Sequence, residues 1–111
     1  MLPRSQRLSV EQFNAVMEKG QVAHSPFFLM RRLKIKGPTR LSAVAPKKTS
    51  KTAVARNYLR RKMYEAMAPD YQMLEGGWHV IVIAKPVATE AAFIDLSKAM
   101  HDLFVKTGLL R

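Results

Sequence analysis

The run Trp78-His79-Val80-Ile81-Val82-Ile83-Ala84 sets the firmest limit on what this chain can fold into. Its unbroken apolar part, Val80–Ala84, is far too short to span a bilayer as a helix. A near-continuous apolar run with β-branched residues, entered through Gly76-Gly77 and left at Pro86, fits a strand covered on both faces. The remainder of the chain must supply that cover.

It does so by alternating its period. Ser9-Val10-Glu11-Gln12 reads as a capping box, and Val10, Phe13, Val16 and Met17 recur at helical spacing before Gly20. A helix is expected over about residues 10–19. From Phe27 to Lys36 the period is two: Phe27, Leu29, Leu33 and Ile35 share one face, broken by Arg31. Phe28, Met30, Arg32, Lys34 and Lys36 share the other, a basic face with an apolar end. After the turn at Gly37-Pro38-Thr39, the stretch Arg40–Ala45 suits a hairpin partner. Thr52–Met67 lacks Gly and Pro and favours a helix ended by Pro69. A last helix, capped by Thr89 and closed by Gly108, would bury Phe93, Leu96, Met100, Leu103 and Phe104. With a further short strand near residues 21–25, the order is α-β-β-(β)-α-β-α. The expected architecture is an α/β (α+β) two-layer sandwich: a single sheet of about four strands with three helices, in one domain spanning 1–111.

Charge limits the function. Lys and Arg number 19 against eight acids in 111 residues, a net charge of +11. Such an excess repels itself unless something anionic is near, with nucleic acid the first candidate and an anionic membrane surface the second. The absence of Cys excludes disulfide-linked partners, thiolate metal clusters and a cysteine nucleophile. His24, His79 and His101 share no metal-ligand spacing, and Glu65, Asp70 and Glu75 are scattered rather than paired. The N-terminus has no secretory apolar run, which makes a cytoplasmic protein the default expectation.

The densest feature is Lys47–Lys62, with seven cations and no acid. On a helical wheel Ala55, Leu59, Met63 and Ala66 fall together, while Arg56, Asn57, Arg60 and Arg61 gather roughly 130° away. Arg56 and Arg60 are i, i+4 neighbours, as are Asn57 and Arg61, and guanidinium forks so spaced suit successive phosphates. Asn57 adds a group that both donates and accepts, fit for a base edge or a 2′-hydroxyl.

The stretch Lys47-Lys48 followed by Arg56-Asn57-Tyr58-Leu59-Arg60-Arg61 resembles the signature of the bacterial ribonuclease P protein subunit. The resemblance runs through Arg7-Leu8, Phe13 and Val16, Gly20, Val80–Pro86, Phe93 and Leu96. Tyr58 and Tyr64 stand where that family usually has Arg, and Met17 and Met30 where aromatic residues are common. The resemblance implies a ribosomal-protein-like fold with a left-handed β-α-β crossover. It also implies an accessory role, one protein to each catalytic RNA. The chemistry belongs to ribonuclease P RNA with its Mg²⁺, while the protein, with no catalytic residue and no metal of its own, binds that RNA and the 5′ leader of precursor tRNA. On this reading Lys51, Arg56, Asn57, Arg60, Arg61 and Lys62 meet RNA. Phe13, Met17, Phe28, Met30, Arg32, Lys47, Lys48 and Lys85 form the leader cleft, and Arg4 and Arg7 add an N-terminal contact. A structural RNA-binding protein of ribosomal type shares the size and charge. A protein-only nuclease would need a His pair or carboxylate cluster that is not readable here.

Overall fold

The computed structural model describes residues 2–110, with the side chain of Arg4 left aside. After a 3-10 turn at Arg4–Gln6 come α1 (Val10–Lys19), β1 (Gln21–His24), β2 (Phe28–Lys34) and β3 (Arg40–Val44). These are followed by α2 (Ala53–Tyr71), β4 (Trp78–Ala84), a 3-10 turn at Pro86–Glu90 and α3 (Phe93–Lys106). The capping box of α1 is complete: the Gln12 amide donates to Ser9 Oγ at 3.2 Å and the Ser9 amide to Gln12 Oε1 at 2.9 Å. Gly108 leaves α3 at φ +79°, a conformation that Cβ-bearing residues rarely adopt.

Two helix boundaries differ from the sequence expectation. α2 continues through Pro69 to Tyr71. Proline removes one donor, to the carbonyl of residue 65, and both Glu65 and Pro69 are exposed, where water can replace it. Thr89 does not cap α3. It lies in the 3-10 turn, its hydroxyl donating to the Pro86 and Thr49 carbonyls, and α3 starts after Ala92 without a side-chain cap.

The sheet order is β1-β2-β4-β3. β2 pairs antiparallel with both β1 and β4, whereas β3 runs parallel to β4. Arg40–Val44 is therefore not the hairpin partner of β2. The doubly apolar β4 takes the central position between them, and α2 makes the crossover. In the register Met30 faces Val82 and Ala43 faces Val82 from the other side. These residues, with Phe28, Leu41 and Val80, lie under Leu59, Met63 and Met67 of α2 and Leu96, Met100 and Phe104 of α3 in one buried core.

The alternate residues face the other way. Ile81 and Val16 are both fully buried outside that core, where α1 lies across β4 and β2. Each face of β4 thus has its own cover. This division corrects the expected cleft: Phe28 and Met30 are completely buried beneath α2 and α3, on the face away from α1. Strand alternation shows which residues share a face, but β2 is apolar on both faces, so the pattern cannot name the one that closes.

β3 is an edge strand, and its free edge is occupied. The Ala43 amide donates to the buried Tyr64 hydroxyl at 3.1 Å, and Arg7 bridges Leu41. Tyr64 is thus a structural side chain in this protein. Tyr64→Phe should destabilise the fold by about 1–3 kcal/mol, because a buried N–H loses its only side-chain acceptor. Urea denaturation measures this, and an unchanged midpoint would remove the bond from the account.

Candidate nucleic-acid interface

α2 distributes its polar residues to two flanks. Arg56, Asn57, Arg60 and Tyr64 look toward the free edge of β3 and, with Phe13 and Val44, line a hollow of about 330 Å³. A second hollow of about 440 Å³, lined by Arg7, Leu8, Arg40 and Ser42, shares Ser42 and Tyr64 with the first. Together they form a groove along β3 between α1 and α2. Its floor is strand surface, Phe13 supplies an aromatic wall, and cations stand at both ends. Arg61 does not join this set. One residue on from Arg60, it turns about 100° away and lines a hollow with Tyr58 and Lys62 on the α3 side.

The loop before α2 is held from below. The buried Thr49 hydroxyl donates to the Ala84 carbonyl at 2.6 Å, and Arg56 Nη1 donates to the Ser50 and Lys51 carbonyls at 3.0 Å each. Lys47, Lys48 and Lys51 project from this braced loop and are exposed. Arg56 accordingly does two things: it braces the loop and edges the groove.

The remaining expected residues divide. Met17 is 39% exposed on α1, and its carbonyl accepts from Arg31 Nη2 at 2.7 Å. Arg32 sits on the opposite face of β2, its guanidinium 5.7 Å from the Trp78 ring centre, and so is not in the groove. Lys85 is partly buried and donates to the Ser25 carbonyl at 2.8 Å, which ties it to the turn between β1 and β2. Lys62 stands over Tyr58, its ammonium 4.7 Å from the ring centre. Arg7 borders the groove, while the Arg4 side chain lies outside the described residues. Sequence reasoning missed Arg40 and Ser42, which line the groove. Alternation along Arg40–Val44 was the available signal, because it puts Arg40 and Ser42 on the face opposite Leu41 and Ala43.

Titratable groups near Arg40 are shifted. Burial, seconded by the Arg40 charge, holds the His79 imidazole below its ordinary value of 6.5. Burial raises the Tyr71 phenol against an opposing effect of Arg40. The Tyr71 hydroxyl donates to the Thr39 carbonyl at 2.5 Å, fixing the end of α2 to the start of β3. For His79 the unfolded chain binds more protons between the lowered folded value and 6.5, so its contribution is complete above that interval and fades as pH falls through it. His79→Gln should reduce the loss of melting temperature between about pH 7 and about pH 5. An identical slope in the variant would assign that loss to other groups. Among the described residues no three His, Asp or Glu side chains come together in one cluster.

Fold and groove define a small, strongly basic α+β protein with three helices on a four-stranded mixed sheet and a cation-edged groove beside the parallel pair. The family model for Ribonuclease P matches residues 2–108, and the chain belongs to that family of ribonuclease P protein components. It is 30% identical over 115 aligned positions to the ribonuclease P protein component of Microcystis aeruginosa, covering 98% of this chain and 96% of that one. Its similarity to the component of Symbiobacterium thermophilum is 34% over 74 residues, 67% of this chain and 64% of that one. Among solved structures, the Staphylococcus aureus RNase P protein superposes with a TM-score of 0.83 at 19% identity, covering 96% of this chain and 98% of that one. The Thermotoga maritima RNase P protein gives 0.79 at 20% identity, covering 90% and 96%. These structural likenesses bear on the fold.

Proposed function

We propose that this chain is the accessory subunit of ribonuclease P, binding the catalytic RNA and the 5′ leader of precursor tRNA in the cytoplasm, one protein to each RNA. The observation that carries the reading is the groove along β3, where Phe13 faces Arg56, Asn57 and Arg60 across the strand surface. A single strand needs both elements: a flat ring on which a base can stack and cations that follow the phosphates. The site is smaller than the sequence suggested and lies along β3, on the sheet face opposite the one that Phe28 and Met30 share. Phe13, Arg40, Arg56, Asn57 and Arg60 carry it, with Lys47 and Lys48 at the loop beyond. Bond cleavage and its Mg²⁺ belong to the RNA. The protein's part is to hold leader and RNA together and to neutralise phosphate charge that Mg²⁺ would otherwise have to screen. Among the described residues no helix is long and apolar enough to cross a membrane.

The test is reconstitution. The purified protein is mixed with a bacterial ribonuclease P RNA, and precursor-tRNA cleavage is followed at low Mg²⁺ beside RNA-alone and protein-alone controls. Cleavage only in the mixture supports the reading. Tight RNA binding without rescue favours a structural protein of ribosomal type, and cleavage by the protein alone rejects both. Phe13→Ala should weaken binding of leader-bearing tRNA roughly tenfold while leaving mature tRNA little affected, the value of one stacked base. Equal losses for the two would make Phe13 a packing residue.

A further inference from the structure

The second flank of α2 carries a feature that the groove does not use. Phe93, expected in the core, stands at the first position of α3 and is 41% exposed, and Tyr58 across from it is 56% exposed. The two rings line a hollow of about 380 Å³ with Arg61, Lys62 and Glu65. Lys62 holds its ammonium over the Tyr58 ring at 4.7 Å, which steadies the ring and keeps a cation at the rim. No hydrogen bond or ion pair among the described residues takes up the Glu65 carboxylate, although Arg61 lies one helical turn away. A free carboxylate between cations opposes phosphate binding at that spot, so the hollow is not simply a phosphate site.

We propose that Tyr58, Phe93 and Glu65 form a pocket for an unpaired guanine of the RNA partner, with Arg61 and Lys62 on the flanking phosphates. This rests on the reading that α2 faces RNA, and adds a second, base-selective contact on the side away from the leader groove. The chemistry is specific. The rings offer a stacking surface to any base. Guanine alone presents two adjacent donors, N1–H and the N2 amino group, on its Watson–Crick edge, and a carboxylate accepts both. Adenine would turn its N1 lone pair toward the same carboxylate. Arg forks and the Lys ammonium then take the phosphates on either side.

The experiment uses the full chain and two fluorescein-labelled oligoadenylates, one carrying a single central guanosine, with binding read by anisotropy at about 0.1 M salt. The guanosine oligomer should bind roughly tenfold more tightly, the scale of one well-stacked and edge-paired base. Tyr58→Ala should erase that advantage and Tyr58→Phe should keep it. Glu65→Gln should tighten the all-adenosine oligomer, by removing a negative charge, and abolish the preference. A purely electrostatic Glu65 would raise both affinities and leave their ratio unchanged, which would overturn the proposal. So would a wild-type protein without guanine preference, or a preference untouched by Tyr58→Ala. All three side chains are exposed, and thermal melts establish that the variants fold. Rescue of precursor-tRNA cleavage by a wild-type protein lacking the preference removes the pocket and leaves the subunit reading standing; failure of both removes both.

Discussion

Phe104→Ala is expected to lower the unfolding free energy by about 3–5 kcal/mol, the largest effect of any single truncation considered. Phe104 is wholly buried on α3, in the core shared with α2 and with β2, β3 and β4. Its carbonyl also accepts the Leu109 and Leu110 amides at 3.0 and 3.1 Å, and both of those leucines are buried. A cavity there would loosen α3 and the chain's last turn together, since an interior near crystal density collapses only partly around a lost ring. A domain of this size has about 5–15 kcal/mol in all, so the variant would approach the limit of folding. Urea denaturation in phosphate buffer, where anions offset the self-repulsion of a +11 chain, gives the value. A loss below about 1 kcal/mol would mean that α3 does not pack on the sheet as described.

Replacing Lys47, Lys48, Arg60 and Arg61 together by glutamine should leave the fold intact and cripple RNA affinity. All four side chains are exposed, and none makes a hydrogen bond or ion pair among the described residues. If each neutralises one phosphate, the slope of log K against log salt should fall by about three units. At about 0.1 M salt that corresponds to roughly a thousandfold loss, because counterion release is what those charges contribute. Arg56 is left out of the set because it braces the loop through the Ser50 and Lys51 carbonyls, and its loss would mix structure with binding. Titration of ribonuclease P RNA at several salt concentrations decides the matter. An unaltered slope would place the RNA elsewhere on the protein.

Local signals were read well where local physics decides. The Ser9–Gln12 box opened α1 at Val10, Thr52 opened α2, Gly108 closed α3, and the apolar run Trp78–Ala84 became the central strand. The basic loop and the cations of α2 were legible because seven cations without an acid fall within Lys47–Lys62. The site itself was only half legible. Phe13, Arg56, Asn57 and Arg60 meet in one groove, Phe28 and Met30 do not, and Arg40 joins it although it stands outside the Lys47–Lys62 run of cations.

The sequence by itself determined the elements, the surplus of positive charge and its concentration around α2, because caps, period and composition act within a few residues. Tertiary structure alone decided which strand lies beside which, and therefore which face of β2 is closed. Both faces of that strand are apolar enough to be buried, so the choice rests on where α1 and the pair α2 and α3 settle on a sheet whose centre is β4. The same packing parted Arg60 from Arg61, set Tyr64 against the β3 edge and left Phe93 beside Tyr58. Each of these depends on residues distant along the chain, and no local pattern encodes the distance between them.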